Sequence, residues 1–185
     1  ALDEERLGTI ARAELSMRTL ALVAEQYTER VFETSDLVVN EVAAWIAAHG
    51  GVAAARDSQP LHAVLWDLSR RSAGDYLMVV DAAGRPVALS DRFPAPAEVD
   101  LSDRRWFRAH AVEGHATHLG DALQSRITGD ILFTYSRALR GPAGRFDGIV
   151  QVSVRPGFFQ QPGLAAEFGQ GTAMGLFGLE GRVLA

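Results

Sequence analysis

The chain has no cysteine, which excludes a disulfide framework and thiolate chemistry and suits an oxidising compartment. No apolar run reaches the ~18 residues that a membrane-spanning helix needs. No block of basic residues occurs, and with a net charge of −5 there is no electrostatic footprint for nucleic acid. A Gly-x-Ser-x-Gly elbow, a Gly-x-x-x-x-Gly-Lys-Ser/Thr loop and a Gly-x-Gly-x-x-Gly loop are all missing. The common hydrolase and nucleotide signals are therefore lacking, and no motif calls for a cofactor. Residues 3–48 contain no proline and one glycine, Gly8.

What remains is ordinary globular composition, 48% hydrophobic and 22% charged over 185 residues, enough to bury a core without staples. In the proline-free stretch, apolar residues recur every seven positions at Ile10, Met17, Ala24, Val31, Val38 and Trp45, with Ala13, Leu20 and Tyr27 between them. Such a stripe marks a helix that packs along another helix, in its own fold or in a second copy. About 45 helical residues would extend roughly 70 Å, longer than a compact domain of this size is wide. The alternative is two shorter helices broken at Thr34-Ser35-Asp36, residues that cap better than they propagate. Gly50-Gly51 ends the helical region.

Leu61, Val64, Leu65 and Leu68 give a second, amphipathic helix that Gly74 stops. Tyr76–Val80 and Pro86–Leu89, joined by Asp81-Ala82-Ala83-Gly84, form a hairpin. Three more strands are expected at Thr117–Leu123, Ile131–Leu139 and Phe146–Val154, with hairpin turns at Thr128-Gly129-Asp130 and Gly141-Pro142-Ala143-Gly144. Together these describe an α+β fold: a long N-terminal helix, then a five-stranded, mostly antiparallel sheet flanked by helices. Helices back one face, and the segment from Asp100 to Val112 is long enough to cover the other. The tail from Leu176 to Ala185 echoes Val79 to Ala88 at an offset of about one small domain, opening a second module or completing the first sheet.

The central stretch, Asp100-Leu101-Ser102-Asp103-Arg104-Arg105-Trp106-Phe107-Arg108-Ala109-His110, sets arginines around a Trp-Phe pair. Ser102 is placed to cap a short helix through Arg104 or Arg105. Trp106 and Phe107 then face the sheet, and the guanidinium groups are free for a carboxylate or other anion. The plainer reading is two core aromatics with solvated arginines. The candidate ligand-binding residues are Arg104, Arg105, Trp106, Phe107, His110, Arg126, Tyr135 and Ser153, polar or aromatic groups able to converge on an apolar pocket. His110, His115, His118 and Asp121 are possible metal ligands, but their gaps of five, three and three do not match a helical zinc pair.

This stretch, followed by Ser125-Arg126-Ile127-Thr128-Gly129 and by Phe146 to Val154, resembles the extracytoplasmic Cache sensor domains, PAS-like modules of bacterial histidine kinases, chemoreceptors and diguanylate cyclases. The similarity runs over roughly residues 1–160. It implies a dimerising, signal-carrying helix at 1–50, a membrane-distal module at 51–160, and at 161–185 a linker with the first hairpin of a second module of the double-Cache type, or the last strand of the first. It also implies a periplasmic setting, flanking membrane helices, a homodimer through the N-terminal helix, a small-molecule ligand and no catalysis in this segment. The amino-acid-sensing branch carries a tyrosine, Arg-x-Trp-Tyr, a later tyrosine and an aspartate for the ligand amine. Arg104-Arg105-Trp106-Phe107 and Tyr135 match parts of that pattern, whereas Val99 replaces the first tyrosine and Ser153 falls near the aspartate. Without that counter-charge an organic anion or carboxylate is the expected ligand. The alternatives are a ligand-free dimerisation module packed shut by Trp106, Phe107 and Phe133, or a metal-binding domain built on His110, His115 and His118.

Overall fold

The computed structural model describes residues 2–72 and 76–155, with the backbone alone at 2–13, 16, 20, 24 and 27; the expected second module at 161–185 and the stop at Gly74 lie outside these residues. Helix α1 runs unbroken from Leu2 to Ala48, so Thr34-Ser35-Asp36 does not interrupt it. Ser35 is buried and Asp36 accepts hydrogen bonds from Tyr135 and Asn40, which satisfies the side chains that would otherwise compete with the helix backbone. The helix turns out through left-handed Gly50 (φ +94°) into α2, Gly51–Ala55. Helix α3, Gln59–Arg71, follows, with Ser58 accepting from the Leu61 N–H and Pro60 in its first turn.

The sheet contains β1 (Tyr76–Asp81), β2 (Pro86–Leu89), β3 (Thr117–Gln124), β4 (Ile131–Arg140) and β5 (Phe146–Val154), and α4 (Arg105–Ala111) lies between β2 and β3. The strand order is β2-β1-β5-β4-β3, and every neighbouring pair is antiparallel. Alternation along the strands divides the core in two. Leu77, Val79, Phe133, Val150, Val152 and Val154 meet Val31, Val38, Val39, Val42 and Ile46 of α1 and Leu61, Leu65 and Leu68 of α3. On the opposite face Tyr76, Met78, Val80 and Ile149 meet Leu101, Trp106 and Phe107. The segment from Asp100 to α4 is thus the cover of the second face.

The C-terminal part of α1 is the part that packs on the sheet. Leu15, Met17 and Leu22 are 67%, 65% and 58% exposed, whereas Val31 and Val39 are 2% and 0% exposed. A helix of 47 residues is about 70 Å long, so its N-terminal portion extends past the sheet and leaves an apolar surface uncovered.

The cover starts from the β1–β2 turn. Leu101 N–H donates to the Gly84 carbonyl at 2.9 Å, and Arg85 reaches the carbonyls of Ala97 and Glu98. Gly84 has φ +82°, and a Cβ there would lie 2.6 Å from the Ser102 nitrogen. Both the left-handed backbone and the close approach require glycine. Gly84→Ala is expected to cost about 2 kcal/mol or more and to loosen the cover. Urea unfolding measures it, and an unchanged midpoint would show that the cover is not pinned at this point.

Candidate functional site

Between the cover and the sheet lies a hollow of about 20 Å³, measured as room for the centre of a water molecule. Tyr76 and Met78 of β1, Leu132 of β4 and Gln151 and Ser153 of β5 form its floor; Leu101, Arg104 and Trp106 come from the cover, and Leu123, Ser125, Arg126 and Ile127 from the β3–β4 end. In the register, Tyr76 and Thr134 flank Ser153, and Met78 and Ser136 flank Gln151. The middle of the sheet therefore presents a polar patch, all of it buried, inside an apolar face.

Four of the residues expected from the sequence meet here: Arg104, Trp106, Arg126 and Ser153. Trp106 is 3% exposed and closes the hollow from above. Arg104 donates to the Gln124 carbonyl at 3.0 Å, and among the described residues no carboxylate pairs with it. Burial, and then the charge of Arg126, pulls its pKa below the ordinary arginine value, the sign of a cation short of negative partners. Arg126 differs. It grips Asp103 through two hydrogen bonds of 2.5 and 2.7 Å and donates to the Asp100 carbonyl at 2.8 Å. The Asp103 bond raises the Arg126 pKa and the Arg126 bond holds Asp103 low, so this guanidinium ties the cover to the β3–β4 turn.

The other expected residues lie elsewhere, each for a geometric reason. Helix α4 begins at Arg105 with Arg104 as its cap, and Arg105, 62% exposed, points instead to Asp121, 3.5 Å away on β3. Ser102 does not cap the helix: α4 starts later than a cap at Ser102 implies, behind Arg104, and the Ser102 N–H donates to Asp100 at 2.9 Å in the turn that precedes it. Phe107 packs edge-on against Phe146 and Trp106 as core. Tyr135 belongs to the α1 face, where its hydroxyl donates to Asp36 at 2.8 Å. Phe133 also lies on the α1 face and does not fill the hollow.

Gln151 and Tyr76 escaped the sequence reading. Gln151 is 3% exposed; its Nε2 donates to Ser153 Oγ at 3.0 Å, while its Oε1 has no partner. The signal was the alternation Ile149-Gln151-Ser153 against Val150-Val152-Val154, which sends a polar pair to one face of a strand buried on both sides. Tyr76 is 5% exposed, its hydroxyl meets only the Met78 sulfur at 4.0 Å, and burial raises its pKa.

No family model matches the chain and no curated protein matches it by sequence. Solved structures do match. An extracellular ligand-binding receptor from Desulfohalobium retbaense superposes with a TM-score of 0.65 at 20% identity, over 80% of this chain and 26% of that one. The extracellular domain assigned to a histidine kinase, rpHK1S-Z16, gives 0.69 at 26% identity, over 81% and 60%. The ligand-binding domain of the Campylobacter jejuni chemoreceptor Tlp3, solved with 4-methylisoleucine, gives 0.64 at 14%, over 93% and 66%. The chain spans less than two thirds of the first two. The fold is thus that of extracellular ligand-binding domains of chemoreceptors and histidine kinases, consistent with the Cache resemblance.

The histidines do not converge on a metal position. No group of three or more metal-ligating side chains is arranged for an ion among the described residues. His110, 1% exposed, has both ring nitrogens engaged. Nδ1 is 2.7 Å from the His115 carbonyl and Nε2 is 2.9 Å from Ser136 Oγ. A carbonyl only accepts, so Nδ1 carries a proton; Ser136 Oγ also lies 3.2 Å from the His118 carbonyl, so its single proton serves either that carbonyl or Nε2. Burial first, then neighbouring positive charge, lowers the pKa of His110, and burial also lowers that of His118. A depressed folded-state value means that the unfolded chain takes up these protons first. The stability contributed is complete above the ordinary pKa of 6.5 and is lost as pH falls below it. Between about pH 7.5 and about pH 5 the melting temperature is expected to fall less in His110→Asn, which keeps a donor for the His115 carbonyl, than in the parent. Equal falls would remove His110 from the pH response.

Proposed function

We propose that this chain is the extracytoplasmic ligand-sensing part of a membrane-bound signal-transduction receptor, of the histidine kinase, diguanylate cyclase or chemoreceptor kind, and that its ligand is a small organic anion held by Arg104. The observation that carries this reading is a partly buried guanidinium, without an acidic partner among the described residues, on the wall of a hollow beneath Trp106. Such a group gains a charge-assisted, two-pronged bond when a carboxylate arrives. The 4-methylisoleucine of Tlp3 is an amino acid, whereas this hollow has no acidic wall residue to meet an ammonium.

The hollow as it stands holds about one water, so a ligand enters by lifting the cover and stabilises the state in which the cover re-forms around it. Helix α1 carries the change, with membrane helices on either side of the segment and residues 1–50, 51–160 and 161–185 acting as helix, sensor module and start of a second module. The small volume also favours a second reading, a module that stays closed and serves only to dimerise.

A thermal-shift panel of organic acids and amino acids separates the two. We expect at least one organic acid at about a hundredfold excess over its Kd to raise the melting temperature by about 5 °C or more. The shift should vanish in Arg104→Gln and persist in Arg105→Gln. Stabilisation by amino acids alone would overturn the anion assignment, and no stabilisation by any ligand leaves the closed module.

The exposed apolar residues of α1 give the dimer its surface. Leu15 and Leu22 stand seven residues apart at 67% and 58% exposure, the spacing of a helix-to-helix seam. Light scattering is expected to report a homodimer that Leu15→Glu with Leu22→Glu converts to a monomer of unchanged helical content; a monomeric parent would remove α1 as the interface.

A further inference from the structure

Among the described residues, the walls of the hollow carry two positive charges, Arg104 and Arg126, and no negative one. The nearby acids are already occupied: Asp103 by Arg126, and Asp91, which acts through space on Tyr76, by Arg92 at 2.9 Å. An ammonium group placed here would be desolvated beside two cations with no counter-charge, an expensive position. The floor nevertheless asks for a donor. Gln151 Oε1 is a buried acceptor with no protein partner among the described residues, so a ligand hydroxyl can take the place that a water would otherwise fill. Tyr76 holds a second under-used hydroxyl beside it, facing only the Met78 sulfur.

Building on the anion-sensor reading, we infer that the hollow selects a short hydroxy acid: the carboxylate on Arg104 and a neutral hydroxyl donating to Gln151 Oε1. A cation for the acid, an orphaned acceptor for the hydroxyl and the absence of a wall carboxylate for an amine define that class. A cavity of about 20 Å³ restricts it to few carbons. The amide orientation carries the choice between oxidation levels. Gln151 Nε2 donates to Ser153 and Oε1 is the atom left without a partner among the described residues, so a hydroxyl satisfies it and an oxo group does not.

The test uses probes that differ at one substituent, lactate, pyruvate, alanine and propionate, with malate, oxaloacetate, aspartate and succinate as the four-carbon set, titrated calorimetrically. The hydroxy acid of at least one set should bind about tenfold or more tightly than its three analogues, the worth of one well-made buried hydrogen bond. Gln151→Glu, nearly the same in shape but charged, should reverse the order in favour of the amino acid. Gln151→Met should raise the melting temperature of the unliganded domain, because the orphaned oxygen is gone, and should bring hydroxy acid and alkyl acid to equal affinity. Tighter binding of the amino acid or the 2-oxo acid by the parent, or a lowered melting temperature in folded Gln151→Met, overturns the inference while leaving an anion sensor standing. Binding by none of the eight overturns it too, and only a blank organic-acid panel takes the sensor reading with it.

Discussion

The structure depends on a sheet whose central strands are buried on both faces. β1 and β5 are buried along most of their length, and β4 at Leu132, Phe133, Thr134, Ser136 and Leu139, so each residue that alternation sends inward there must be apolar or must find a polar partner. On the α1 face the solution is mostly hydrocarbon, valines of β5 against valines of α1, with Tyr135 hydrogen-bonded to Asp36. On the cover face it is not: Ser153, Gln151, Thr134 and Ser136 line up across β5 and β4. Two oxygens of this patch, Gln151 Oε1 and Thr134 Oγ1, are unpartnered among the described residues. An apolar replacement would be cheaper for stability alone; in the proposed sensor Gln151 and Ser153, the members of the patch that line the hollow, are the half of a hydrogen-bonding surface that a ligand completes.

A site of that kind needs a lid that is held but not locked. The cover satisfies both conditions by dividing its contacts. At its start it is fixed by backbone, through Gly84 to Leu101, and its aromatic pair is sunk in the second core cluster. At the ligand end the tie is the Arg126–Asp103 fork, whose side chains are 42% and 64% exposed. Exposed ion pairs contribute little because water screens them. The cover is thus firm where it leaves the hairpin and weakly latched where the hollow meets solvent, an arrangement that lets the latch open without unfolding the core.

Much of this was legible in the sequence, and the parts that were not share one cause. All five strands and both early helices follow from period and punctuation: Asp81-Ala82-Ala83-Gly84 and Thr128-Gly129-Asp130 turn where such residues must, and Gly50 leaves α1 with positive φ. Side-chain direction was harder. Arg104 and Arg105 differ by one helical step of about 100°, and which of them faces inward depends on whether the helix starts at Ser102 or later. Asp100 settles that by taking the Ser102 N–H, a local competition that residue types alone do not resolve. Tyr135 lies on a strand that mixes apolar and polar residues on both faces, Phe133 and Arg137 on its own and Leu132, Thr134 and Ser136 on the other, where alternation gives no phase. Its partner Asp36 is 99 positions away, beyond any local pattern. Gln151 was the opposite case, a polar residue in clean alternation, and its phase was readable once both faces of β5 were taken as buried.

In the proposed sensor, binding reaches the helix through the neighbouring strands β5 and β4. Ser153, on the wall of the hollow, is the register partner of Thr134, and the next residue along β4 is Tyr135, whose hydroxyl holds Asp36 on α1. Strands move as units because their ladders and packed faces tolerate little local distortion, so a shift of β4 that repairs the polar floor must be felt at Tyr135. There the contact to α1 changes from hydrocarbon to a network of Tyr135, Asn40 and Asp36, with Arg137 4.0 Å from the carboxylate. A packed valine interface resists sliding by its whole buried area, whereas a half-buried hydrogen-bonded carboxylate can exchange partners at small cost. In the proposed sensor the place where α1 can yield to the sheet is therefore Asp36, which lies between buried Val31 and Ser35 on one side and buried Val38, Val39, Val42 and Ile46 on the other.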